Sequence, residues 1–537
     1  MMYNMKKAIL ILTAVVLSIS AWAQGSLDDG IKMYNYKKYQ TALRILTPLA
    51  EKDALANYYL GLSYLGSGDI EKAGSTFSKY PEDAANMSGN ARVAFAKKDA
   101  AKGNQAVKDL AAKGKKKDWM QEKYAADAIT YSEGGDYNQA IAWYKDVLTK
   151  NPNEMSTHIG IGDAYRKVPG GGGEAMTNYE FVTEKDAKNS LAYSRIGDLW
   201  YDARNYQSAL DNYAKAKEAD ASNPLPYKSL ADAYSRSGRY KLALENIKQY
   251  LTLSDNTMDD QIDYARILYL AQSYCDAATK AKEILNNQLS PAGTTEMYGI
   301  LGFSQAECGD SIEAMKNIRT YFAMQNPKNI TPGAYIQYGK LLLKLNMLDS
   351  AGYYYTKGIA GDTAQNKTDV YRQIAEAFKS KKEYCKSAEW YNNLIKANPS
   401  TQAGDYAWRS IMYYYCKDYT NGMASATDFA TKHPDQPSAI YWQGRIQMAV
   451  DSEATTGSAE QYFIKWLAMP GDKKPNDLKG AYTYLMYYYF HKGDKENLTV
   501  YKEKIRAIDP KDRSLMEIEE AEKAPAAKPT KTKTKVK

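Results

Sequence analysis

Apolar side chains recur along this chain at i, i+3, i+4 and i+7, as in Tyr227, Leu230, Ala231 and Tyr234, the spacing of a helix with one buried stripe. The stripe itself repeats. Leu60, Gly61, Tyr64, Gly68, Ala73 and Phe77 are echoed by Ile196, Gly197, Trp200, Tyr206, Ala209 and Tyr213. They are echoed again by Leu230, Ala231, Tyr234, Gly238, Tyr240, Ala243 and Ile247. Aligned on the small residue, the series reads Gly30, Gly61, Ala94, Ala128, Gly162, Gly197, Ala231, Ala265, Gly302, Gly339, Ala375, Ser410 and Gly444, at intervals of 31 to 37 residues. A second small residue stands twelve positions later in most units: Ala42, Ala73, Ala106, Ala140, Ala209, Ala243, Ala277, Ala314, Ala351, Ser387 and Gly422.

A small residue within an apolar stripe lets a second helix approach closely, and the neighbouring aromatic rings fill the space around the crossing. Each unit is therefore predicted to be a helical hairpin. Gly238 and Asn205 suit the turn between its helices, and Pro152, Pro327, Pro399, Pro434 and Pro510 close several units where a second helix must stop.

The pattern resembles the tetratricopeptide repeat family, with its small residue at the eighth position, alanine at the twentieth and proline near the thirty-second. The resemblance runs from about Leu27 to Pro510, or some thirteen to fourteen repeats. It implies an all-α fold, a right-handed α-solenoid. Tyrosine mostly replaces the family's tryptophan at the fourth position. A Gly170-Gly171-Gly172-Gly173 run interrupts the fifth repeat and reads as a tolerated surface insertion more readily than as a partner-binding loop. Met486 and Leu498 stand where small residues belong in the last unit, as suits a capping repeat without a following neighbour.

The ends differ from the body. Lys6 and Lys7, an apolar run from Ala8 to Ile19, and Ala21-Trp22-Ala23 before Gln24 make a secretory signal over residues 1–23, cleaved after Ala23. The run is shorter than the ~20 residues that cross a bilayer. No cysteine follows the cleavage point, so lipidation there is not expected. The solenoid is assigned to residues 24–512, and residues 513–537 to one further helix and a disordered tail. The formal charge of +8 originates at these ends: Lys6 and Lys7 leave with the signal, and six lysines from Lys523 to Lys537 have no acid among them. The body is neutral, which argues against nucleic acid as a partner. The tail suits an anionic lipid, lipopolysaccharide or cell-wall surface, or simple solubility. The 48 tyrosines against 9 phenylalanines suit a thin core close to water.

Four cysteines fall into two equivalent pairs. Cys275 and Cys385 lie ten residues beyond Ala265 and Ala375, at the start of a second helix; Cys308 and Cys416 lie six residues beyond Gly302 and Ser410, at the end of the next first helix. Those helix ends are neighbours in an antiparallel stack, which predicts Cys275–Cys308 and Cys385–Cys416 bridges, worth about 3–4 kcal/mol each by loop closure.

Catalytic chemistry is not expected. His158, His433 and His491 are the only histidines, in three different repeats and without metal-ligand spacing. His158 falls on an apolar stripe and reads as a core or edge residue. No cysteine is paired with a histidine, and the glycine run lacks the lysine of a phosphate loop. No cofactor or metal is implied.

Binding is what the resemblance offers. It implies that first helices line a concave groove, with the residue after the small one pointing inward: Asp163, Asp198, Asp232, Arg266 and onward to Arg445. One turn further stand Arg166, Tyr201 and Tyr269. The candidate partner-binding groove is thus Asp163, Arg166, Asp198, Tyr201, Asp232, Arg266 and Tyr269. Its acids and tyrosines suit a basic or extended peptide, or sugar rings; alternatively they form a solvated face paired with arginines such as Arg195 and Arg236. Ile31, Tyr34, Leu62 and Leu65 give the first two repeats an apolar groove. The expected function is a periplasmic protein–protein interaction scaffold in envelope assembly or secretion, with envelope proteins as partners. A carbohydrate- or peptide-binding module for nutrient capture is the alternative.

Overall fold

The computed structural model describes residues 25–114, 118–361 and 367–523. Residues 1–23, read as a secretory signal, and the lysine-rich residues beyond Lys523 lie outside them. Every element among the described residues is helical. The helices form two compact units that divide between Asp310 and Ser311.

The first unit begins with α1 (Leu27–Asn35) and α2 (Tyr39–Leu46) and continues as antiparallel pairs such as Ala54–Gly66 with Ile70–Phe77, and Ser190–Asp202 with Tyr206–Ala219. Each helix packs on its partner and on the first helix of the next pair, and many successive first helices also touch one another. First helices therefore line the inner side of the curve in this unit. The second unit runs from Ser311–Met324 through pairs such as Pro332–Lys344 with Leu348–Gly361 to a last helix, Arg513–Lys523.

The small residues do what their placement demands. A methyl group on Gly197 would lie 2.5 Å from Cε1 of Tyr213, and one on Gly444 would lie 2.7 Å from Cε1 of Phe463. Gly61 meets Phe77, and Gly162 meets Tyr179, in the same way. A ring from the second helix thus occupies the volume that a side chain on the first would need. Ala73, Ala140, Ala209 and Ala243 are fully buried.

The third repeat departs from the predicted register. Ala106 is only half-buried, whereas Gly103, four residues after the capping Asp99, packs beneath Phe95, and Ala91 is fully buried. The pair Ala91 and Gly103 replaces Ala94 and Ala106. The three residues of difference fall between Ala91 and Ala128, the next small residue of the series.

Both predicted bridges are present. Cys275 joins Cys308 in the first unit with Cα atoms 5.4 Å apart, and Cys385 joins Cys416 in the second at 5.1 Å. Each staples the start of one second helix to the end of the following first helix. In the run Tyr353, Tyr354 and Tyr355 the last ring enters the core while Tyr353 is exposed, and in Tyr487, Tyr488 and Tyr489 the last ring is again buried. In the triplet of Tyr413, Tyr414 and Tyr415 no ring is fully buried.

Candidate functional site

The inner face of the first unit is a ladder of charges carried by first helices. Asp163 is almost fully buried; it accepts hydrogen bonds from the hydroxyls of Tyr131 at 3.1 Å and Tyr179 at 2.7 Å. Arg195 approaches the same carboxylate at 2.8 Å. Asp198 accepts from Tyr213 at 2.9 Å and pairs with Arg166 at 3.3 Å and Arg195 at 3.4 Å. Arg166 reaches further to Asp202 at 2.8 Å. Tyr179 and Tyr213 are the second-helix rings that fill the space beneath Gly162 and Gly197. Burial raises the pKa of each phenol, and the nearby carboxylate raises it further. A ring driven under glycine carries its hydroxyl with it, and the adjacent aspartate is the acceptor that keeps that hydroxyl satisfied.

Asp232 stands apart. The residue sixteen positions after its small neighbour Ala231 is Ile247, which has no hydroxyl to give. Among the described residues its carboxylate has neither a hydrogen bond nor an ion pair. It is open to solvent but recessed in the groove. Desolvation by the walls, with repulsion from Asp263, raises its pKa to about 6 against the opposing pull of Lys228, Arg236 and Arg266. The neighbouring cations are committed elsewhere. Lys228 bridges Asp260 at 3.1 Å and Asp263 at 3.2 Å, while Arg266 binds Glu296 and Asp263, each at 2.7 Å.

The structure thus brings Asp163, Arg166 and Asp198 together in one network and sets Asp232 and Arg266 beyond it around Asp263. Tyr201 accepts a hydrogen bond from Arg236 at 3.2 Å and meets Tyr206 edge-on. Tyr269 meets Tyr274 edge-on.

Sequence reasoning missed Arg195, Lys228 and Asp263 as groove residues, although Arg195 was considered as a partner for the acids. It also missed Arg92, whose guanidinium lies 5.8 Å from the centre of the Tyr131 ring and within hydrogen-bonding reach of Tyr34 and Tyr58. Arg195, Lys228 and Asp263 precede the small position by two or three, one turn before the positions that were read, and the helical period carries them to the same face; Arg92 directly follows Ala91, and the register read from Ala94 hid it. Instead of a purely apolar groove, the first repeats hold a tyrosine cluster around a cation. In the second unit Arg445 is held similarly, by the hydroxyls of Tyr441 at 2.9 Å and Tyr414 at 3.1 Å.

Among the described residues no group of three or more His, Cys, Asp or Glu side chains is arranged to hold a metal ion. His158 is fixed by Asn178 at 2.9 Å and the Pro152 carbonyl at 3.0 Å, stacked on Phe181. No described helix is long and apolar enough to cross a membrane.

The fold is an all-α array of paired helices closing on small residues. Its pairs are tetratricopeptide-type hairpins. No family model and no curated protein matches the sequence. Solved structures similar to it include the C-terminal part of a TPR repeat-containing protein from Cytophaga hutchinsonii, 24% identical over 48% of this chain and 98% of that one, with a TM-score of 0.32. A tetratricopeptide repeat protein from Parabacteroides merdae is 16% identical over 48% of this chain and 98% of its own, with a TM-score of 0.31. For pilF of Pseudomonas aeruginosa the figures are 19%, 40% and 94%, with a TM-score of 0.30.

Proposed function

We propose that this protein is a non-catalytic interaction scaffold working in the periplasm of a Gram-negative cell, in envelope assembly or secretion. On this reading the first unit's groove receives an extended, basic segment of a partner protein. The observation that carries it is Asp232: a recessed carboxylate, beside a second carboxylate, with no tyrosine or cation assigned to it. A lysine or arginine side chain entering the groove supplies the missing charge. Two disulfides and the leader-like first residues support an oxidising compartment. The lysine tail supplies a contact to an anionic envelope surface.

Fluorescent hexalysine binding at low salt tests the groove. Asp232→Asn is expected to weaken it about two- to fivefold, the worth of one partly solvated ion pair. The wild-type affinity rises as pH climbs through about 6, because the carboxylate sheds its proton there, and Asp232→Asn flattens that dependence. Equal binding by both proteins at every pH refutes the assignment. Capture of envelope proteins on the immobilised chain, reduced by the same substitution, identifies the partner.

A further inference from the structure

The first hairpin makes contacts that no repeat makes with its sequence neighbours. The hydroxyl of Tyr36, at the end of α1, bonds to Asp220 and lies 3.1 Å from Ser222. The backbone amides of Gln40 and Thr41 donate to Asp255 at 2.8 and 3.3 Å, and the Thr41 hydroxyl donates to the same carboxylate at 2.7 Å. Asp220 and Asp255 lie in the connections that follow helices Tyr206–Ala219 and Tyr240–Leu253, some two hundred residues away.

The Asp255 contact is a helix cap supplied from a distance. Four of the other second helices described in this unit begin behind their own acceptor, at Asp69, Asp99, Asp136 and Asn205, while those behind Gly171, Arg239 and Ser273 have no side-chain cap. Helix α2 begins behind Lys38, which makes no capping bond and carries the charge that a helix N-terminus disfavours. Asp255 fills that role for amides near the start of α2, and among the described residues its carboxylate bonds to nothing else. At only 8 residues, α2 is also short. Among the described residues the first hairpin packs along the chain on one hairpin, that of Ala54–Gly66 and Ile70–Phe77.

A counterforce is built in beside it. Lys37, at the elbow of the hairpin, adopts a left-handed backbone with φ of 56°, is exposed to solvent, and feels the charges of Arg195, Asp198 and Lys228. Partial desolvation by the surrounding chain disfavours its charge, and Arg195 and Lys228 repel it while Asp198 attracts it. The hairpin is pulled in by a carboxylate on one loop and pushed back by cations in the groove.

We propose that the first hairpin is a releasable latch, capped by Asp255 across the first unit, whose opening admits a partner segment to the groove. The latch itself stands on these contacts; only its gating role rests on the groove reading above.

Hydrogen exchange on the full chain tests it, with Asp255→Ala removing the cap and Lys37→Gln removing the repulsion. Asp255→Ala is expected to speed exchange in α1 and α2 about two- to thirtyfold, the factor matching loss of a typical cap, and to leave helix Ala54–Gly66 and later helices unchanged. Lys37→Gln is expected to slow it. Unchanged exchange in Asp255→Ala, acceleration spread over the whole unit, or acceleration by Lys37→Gln overturns the latch. Hexalysine is expected to associate faster with Asp255→Ala, and an unchanged rate with an opened hairpin overturns the gating role. Failure of hexalysine to bind any form removes the groove reading and leaves the latch to stand or fall by exchange alone.

Discussion

Gly444→Ala and Gly480→Ala, two identical substitutions in helices of the second unit, should change stability in opposite directions. In an unobstructed helix interior, replacing glycine by alanine stabilises by about 0.8–1.0 kcal/mol, because alanine loses less backbone entropy. Gly480 in helix Pro475–Lys492 is such a place, since an added methyl meets nothing within 4 Å. Gly444 in helix Pro437–Val450 is not. Its methyl would lie 2.7 and 2.8 Å from two carbons of the Phe463 ring, well inside van der Waals contact. That ring is fully buried, with Tyr484 and Tyr441 centred 5.8 and 6.5 Å away, so it cannot yield without moving the core. Overpacking of this kind costs about 1–3 kcal/mol, and the immovable ring places it in the upper half. Net of the helix gain, Gly444→Ala should lose about 1–2 kcal/mol and Gly480→Ala gain about 1. Urea unfolding followed by circular dichroism reads both, with unchanged slope confirming that the shift in midpoint is one of stability. A Gly444→Ala protein as stable as the parent would refute the close-approach account of the small residues.

Removing the Cys275–Cys308 bridge by serine substitution should cost the first unit about 3–4 kcal/mol, and removing Cys385–Cys416 should cost the second about the same, since they close similar loops of 33 and 31 residues. Protease nicking confined to the unit that lost its bridge checks this, and indiscriminate nicking counts against it. Arg372→Met should destabilise the second unit by about 3 kcal/mol, because it strands the buried Asp405 carboxylate that Arg372 holds at 2.8 and 3.0 Å; an unchanged urea midpoint contradicts it. The second unit should also weaken in acid. Although burial works the other way, hydrogen bonds from Arg372 and Thr401 to Asp405, and from Tyr484 and nearby amides to Asp451, hold both carboxylates below their usual range. Their contribution is present above the unfolded value of about 3.9 and is lost as pH falls through the lower folded values. Melting temperature recorded on acidification checks the sign.

Most of the fold was legible because it rests on a short-range rule applied many times over. One small residue per helix, recurring at nearly constant spacing, fixes where two helices touch. The cysteines were legible for the same reason, as two pairs in the same relation to the repeat must be neighbours if the repeat is real. The register of the third repeat was not. Ala91 and Ala94 are both small, and only the cap at Asp99 and the ring of Phe95 choose between them. The closure at Asp255 was also hidden, because it joins loops of ordinary composition across a distance that no periodic pattern reports.

The groove acids show why a row of like residues is weak support for a site. Asp163, Asp198 and Asp232 occupy one position in three consecutive repeats, yet only the last is without a committed partner. The difference is written on the opposite helix, in Tyr179, Tyr213 and Ile247. A tyrosine ring beneath glycine needs an acceptor for its hydroxyl, and the aspartate beside that glycine is the nearest. At Asp163 and Asp198 the acid belongs to the scaffold, and removing it strands a buried hydroxyl and the arginines around it. Where isoleucine stands instead, nothing in the core claims the carboxylate. Changing all three aspartates together would therefore confound folding with binding. Asp232→Asn alone separates them, because the side chain it alters holds nothing else in place.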